Sequence, residues 1–167
     1  MVNIEVVNLT SRNVSKKDIT QTIKKIIKKL RQKEGFSFLK TVDLSIAFIG
    51  EAEIKKLNAK YRKINKPTDE LSFLLAKTKN KLTGEILLCP KVIKTKDYGF
   101  QVSSFPGLAK AKPRAGKFQV NRLLTHAFLH LCGFDHETDK EWREMEEMEE
   151  ILQDKLKGQN SKLKFTT

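Results

Sequence analysis

A chain of 167 residues with 39% apolar content suits one domain, or one domain with a floppy tail, and can supply a real hydrophobic core. Lys and Arg number 33 against 20 Asp and Glu, a formal charge of +13 that points to polyanionic partners such as nucleic acid; an acidic protein or an anionic membrane satisfies charge equally well. Two isolated cysteines, Cys89 and Cys132, build no disulfide framework and fit a reducing compartment. No apolar run approaches the ~20 residues of a membrane span, and the N-terminus MVNIEVVNLT lacks a basic flank followed by an apolar core, so a cytoplasmic protein without membrane attachment is expected.

Residues 2 to 8, VNIEVVN, alternate and are rich in β-branched side chains, which predicts a first strand. Ser15 caps a helix through residue 33, with Ile19, Ile23, Ile26, Ile27 and Leu30 on its apolar face. Lys17, Lys24, Lys25, Lys28, Lys29 and Arg31 make the opposite face basic: a phosphate-backbone contact, a membrane-surface helix or simply a solvated face. Beyond Gly35, residues 41 to 49 predict a second strand with Val42, Leu44, Ile46 and Phe48 inward, and 51 to 61 a short helix with Ile54 and Leu57 inward. The Asn65-Lys66-Pro67 stretch is a loop, and residues 70 to 75 are a third strand. Arg62 precedes that loop. A guanidinium there either binds phosphate oxygens in its fixed two-pronged geometry or is an ordinary surface arginine.

Residues 84 to 89, GEILLC, predict a fourth strand carrying Glu85, either a base beside a metal-site water or a strand-end carboxylate in solvent. Pro90 starts a helix to about residue 97. The glycines, prolines and basic side chains that follow, Lys110, Lys112, Arg114 and Lys117 among them, have loop composition and enough charge to touch RNA. A helix over 119 to 132 ends at Gly133, and an amphipathic helix over 138 to 155 turns Trp142, Met145, Met148 and Leu152 inward and its acids outward. Nine acids against two basic residues between 137 and 154 make this segment about −7, so residues 1 to 136 carry about +16. Residues 1 to 157 are expected to form the domain, with 158 to 167 a frayed basic tail.

All three histidines fall in HAFLHLCGFDH, residues 126 to 136. His126 and His130 are i and i+4 on one helix face, and a turn at Gly133 folds His136 back toward them. Three neutral nitrogens suit Zn²⁺ and leave a fourth position for water, the arrangement of a catalytic site. Asp135 either orients a ligand or caps the next helix. The spacing matches the metzincin pattern H-E-x-x-H-x-x-G-x-x-H, but Ala127 stands where those proteases keep their glutamate base, which disfavours a metalloprotease.

Two motifs in order, LNAKYRKINKPTDELSF and HAFLHLCGFDH, with GEILL between them, resemble those of the YbeY family of metal-dependent endoribonucleases of ribosomal RNA maturation, over roughly residues 40 to 155. The resemblance implies zinc at His126, His130 and His136, Arg62 as the functional arginine, and single-stranded RNA as substrate. It implies an α/β (α+β) fold: a mostly antiparallel four-stranded sheet flanked by about five helices, with a metzincin-like metal helix. It further implies action at the 3′ end of small-subunit ribosomal RNA and in ribosome quality control, with the small ribosomal subunit as partner. Three positions depart from the family pattern: Ala127 for glycine, Glu70 for an apolar residue, Glu85 for aspartate. The competing expectation is a ribosome-associated zinc-binding module without turnover.

Overall fold

The computed structural model describes residues 1–95 and 119–154. The expected basic loop, the last residues of the helix begun at Pro90, and the expected tail lie outside them. In chain order the elements are β1 (Val2–Asn8), α1 (Lys16–Leu30), a 3-10 turn (Ser37–Lys40), β2 (Thr41–Phe48), α2 (Glu51–Arg62), β3 (Glu70–Lys77), β4 (Lys81–Leu88), α3 (Pro90–Thr95), α4 (Gln119–Cys132) and α5 (Asp139–Asp154).

The four strands form one sheet in the order β1-β2-β4-β3. β1 and β2 run parallel, as do β2 and β4, and only β3 is antiparallel to its neighbour β4. The sheet is therefore mixed, and the mostly antiparallel arrangement expected from the resemblance is corrected. Connectivity gives the reason. The helical crossover through α1 returns the chain in the same direction, so β1 and β2 are parallel. β3, reached from β2 through α2, runs opposite to β2, and the tight turn at residues 78–80 reverses the chain again, so that β4 is antiparallel to β3 and parallel to β2.

Alternation along the strands divides the interior in two. Val42, Leu44, Ile46 and Phe48 of β2 and Leu82, Ile86 and Leu88 of β4 meet α1 and α4 in the larger cluster. Ile54 of α2 and Val92 of α3 join Leu71, Leu87 and Cys89 in the smaller one. The five apolar residues of α1 are all buried, each contributing roughly 1.5–3 kcal/mol of burial, and Ser15 Oγ accepts from Asp18 N–H at the start of the helix. The helix stops at Leu30, before the expected residue 33; Gly35 follows with φ +84°.

Two features seat α4. Gly84 lets it close on the sheet: a Cβ there would stand 2.8 Å from a Leu131 methyl and 3.3 Å from the Phe73 carbonyl oxygen. At the same, C-terminal end Lys77 Nζ donates to Cys132 O at 2.7 Å, placing a cation on the last carbonyls, where the helix dipole favours one.

Candidate metal centre and the residues around it

α4 spans Gln119–Cys132, the bounds expected from sequence, and Gly133 has φ +102°, the left-handed turn that ends it. His126 and His130 are half-buried and His136 is exposed, and one nitrogen from each lies within 4.8 Å of the others. The glycine turn brings the three rings together.

The hydrogen bonds fix which nitrogens face inward. His130 Nδ1 lies 2.9 Å from the carbonyl oxygen of Phe134, which only accepts, so Nδ1 carries the proton and Nε2 keeps its lone pair. Burial, then His126 and His136, hold the His130 pKa down to about 4, so the ring is neutral at physiological pH. His126 Nδ1 is 2.6 Å from Glu149 Oε1 and donates to that carboxylate, which directs its Nε2 at His130 Nε2, 3.1 Å away. Two lone pairs at that distance repel unless a cation lies between them. Nitrogens at about 2.0–2.1 Å from a tetrahedral ion stand roughly 3.3 Å apart, so the pair has the bite a zinc ion requires.

Glu149 was concealed in a run of acids. It is 6% exposed, and its Oε2 accepts from Arg122 Nε at 3.2 Å. The expectation that the acids of α5 all face outward is thus corrected at one position. The signal was present: Glu149 falls on the stripe of Trp142, Met145 and Leu152, at helical spacing. A carboxylate on the outer nitrogen of a metal-binding histidine fixes its tautomer and raises its basicity.

Asp135 does not cap α5. Its Oδ1 accepts the backbone N–H of His136 at 2.8 Å, while Thr138 and Glu141 form a reciprocal capping box: Thr138 Oγ1 accepts from Glu141 N–H at 3.3 Å and Glu141 Oε2 from Thr138 N–H at 3.0 Å. Burial pushes the Cys132 thiol up to about 12, so it brings no thiolate to the cluster. Ala127 is fully buried in the main core.

Arg62 is the last residue of α2, and Lys63 beyond it takes the left-handed conformation at φ 62°. Its Nη2 stands 3.5 Å from Oε1 of Glu70, the first residue of β3. Glu70 pairs in register with Leu88, a residue of the core cluster beneath α4, which puts the arginine's partner on the α4 face of the sheet. Glu85 belongs elsewhere. It pairs in register with Ser45 and Phe73, while its neighbour Gly84 faces Leu131 of α4, so strand alternation turns Glu85 toward the opposite face of the sheet. The expected carboxylate base beside the histidines is corrected on that ground.

The chain is similar to known proteins along nearly its whole length. The sequence pattern of Endoribonuclease YbeY matches residues 5–157. A protein of that name from Thermodesulfovibrio yellowstonii is 32% identical over 93% of this chain and 98% of its own. One from Buchnera aphidicola is 33% identical over 89% and 86%. A Thermotoga maritima protein of known solution structure aligns over 93% of this chain and 92% of its own, with 21% identity and a TM-score of 0.49. A match that runs through both the arginine helix and the histidine turn, and through nearly the whole chain, identifies it as a member of the YbeY endoribonuclease family.

Proposed function

We propose that this chain is a zinc-dependent endoribonuclease that cuts single-stranded RNA, with ribosomal RNA of the small subunit as its natural substrate and 3′-end maturation as its task. The observation that carries the metal is the pair of opposed Nε2 lone pairs 3.1 Å apart, each fixed by an Nδ1 proton already committed to Glu149 or to the Phe134 carbonyl. His126, His130 and His136 hold the ion in a metzincin-like array: two ligands one turn apart on a helix, and a third beyond a glycine. When bound, zinc supplies Lewis acidity toward an attacking oxygen or a phosphate oxygen. Arg62 binds the scissile phosphate and stabilises the charge that develops on it. The surplus of about +16 over residues 1 to 136 supports a polyanionic substrate.

The test uses protein purified without added metal. Elemental analysis is expected to find about one zinc per chain, and chelation to abolish cleavage of a single-stranded ribosomal RNA fragment, with zinc restoring it. Arg62→Ala is expected to retain the zinc and lose at least ~100-fold in kcat. Cleavage that survives complete chelation, or an Arg62→Ala protein cutting at the parent rate, contradicts the respective half of the reading. RNA binding with no zinc-dependent turnover would mark a binding module instead.

A further inference from the structure

Glu70 is a buried carboxylate where the resemblance leads one to expect an apolar residue. It is 5% exposed, and its register with Leu88 sets it on the α4 face of the sheet. Oε1 faces Arg62 Nη2, and Oε2 is buried with no hydrogen-bond partner among the described residues. Burial pushes its pKa above the ordinary carboxylate value, against the positive charge of Arg62. A buried charge with one oxygen unsatisfied works against the fold, and an apolar side chain of similar volume would pack there at less cost. Stability does not account for it.

We infer that Glu70 is a positioning residue: it tethers the guanidinium of Arg62 on the histidine side of the sheet, so that its remaining N–H groups are presented to the scissile phosphate. This rests on the reading of Arg62 as the phosphate ligand. Arg62 sits at a helix end with 43% of its side chain exposed, and a long side chain there is spread over many rotamers unless something holds it. One carboxylate oxygen occupies one nitrogen of the fork and leaves the other donors for a second anion. The tether also has an electrostatic consequence. A negative charge beside Arg62 weakens the attraction of RNA, so Glu70 improves the placement of the phosphate while opposing its binding.

Placement and attraction thus change in opposite directions when Glu70 is removed, and a packing role would not split them. In zinc-loaded protein, Glu70→Val is expected to lower kcat about tenfold while KM stays level or falls, and Glu70→Gln, which keeps the shape, to fall between. The melting temperature of Glu70→Val is expected to rise. In metal-free protein, NMR relaxation of the Arg62 Nε–H is expected to show a rigid side chain in the parent and a mobile one in both variants. Unchanged kcat, a raised KM with kcat intact, or Arg62 motion indifferent to Glu70 overturns the tether; so does a kcat loss accompanied by a lowered melting temperature in both variants. Parent-like cleavage by Arg62→Ala removes the Arg62 reading itself and the tether with it. The tether alone fails when Arg62→Ala is inactive and both Glu70 variants cut like the parent.

Discussion

Two buried glutamates each hold a side chain of the candidate site, Glu149 that of His126 and Glu70 that of Arg62, and they are satisfied to different degrees. On the α5 side, Glu149 spends both oxygens: one on His126 Nδ1 at 2.6 Å, the other on Arg122 Nε at 3.2 Å. On the β3 side, Glu70 meets Arg62 at 3.5 Å with one oxygen and leaves the other without a partner among the described residues. A completed network fixes a ligand once, before any substrate arrives. The other side holds an arginine whose remaining donors are free to meet an anion, and its strain is the cost of that readiness. On the proposed function, the α5 side governs the metal and the β3 side governs the phosphate.

The largest effect that separates them is on metal affinity. Glu149→Ala removes the acceptor that sets the His126 tautomer, and zinc affinity is expected to fall about 10–100-fold. The metal-free protein is expected to lose about 1.5–3 kcal/mol of stability as well, because His126 and Arg122 both forfeit a charged partner. Glu70→Val, measured in the same zinc competition titration, is expected to stay within about twofold of the parent. Equal losses from the two variants would erase the division of labour.

How much of this was legible in the sequence follows from range. The histidine cluster depends on eleven residues of chain and one glycine turn, so spacing alone exposes it. Ile19, Ile23, Ile26, Ile27 and Leu30 are likewise local, and all are buried as their period requires. Glu149 needed only the period of its own helix, but eight neighbouring acids concealed it. Glu70 and Glu85 could not be sorted locally. Each is a strand carboxylate, and which face it takes depends on where α4 lands, a contact made through Leu131 and Gly84 nearly fifty residues apart in sequence. Strand direction was hidden for a similar reason: it lies in the connections between strands, and no strand's own pattern records it.

A smaller effect tests whether the two sides are mechanically separate. Gly84→Ala puts a methyl against Leu131 and the Phe73 carbonyl, so α4 must lift slightly from β4 and β3. The expected cost is about 1–2 kcal/mol of stability by chemical denaturation. Because α5 and Glu149 travel with α4, zinc affinity should change less than about threefold, while cleavage, which needs Arg62 and the histidines in register across the sheet, should fall more. A zinc loss exceeding the loss in kcat would tie the metal centre to the sheet instead.

A last contrast is the pH dependence of stability without metal, and here the two sides differ in sign. His130 has its pKa lowered to about 4 from 6.5 by burial and by the neighbouring imidazoles. A depressed value contributes stability that is present above 6.5 and is lost as pH falls toward 4, where the folded ring takes up its proton. Glu70 has its pKa raised from 4.5, chiefly by burial, so its contribution is present below 4.5 and is lost as pH climbs through the folded value. Calorimetric melts of metal-free protein between pH 4 and 8 are expected to show His130→Gln flattening the acid limb. The gain from Glu70→Val should be greater at pH 8 than at pH 4. A Glu70→Val gain that shrinks with rising pH would mean that the carboxylate is well paired in the folded chain, and the contrast with Glu149 would disappear.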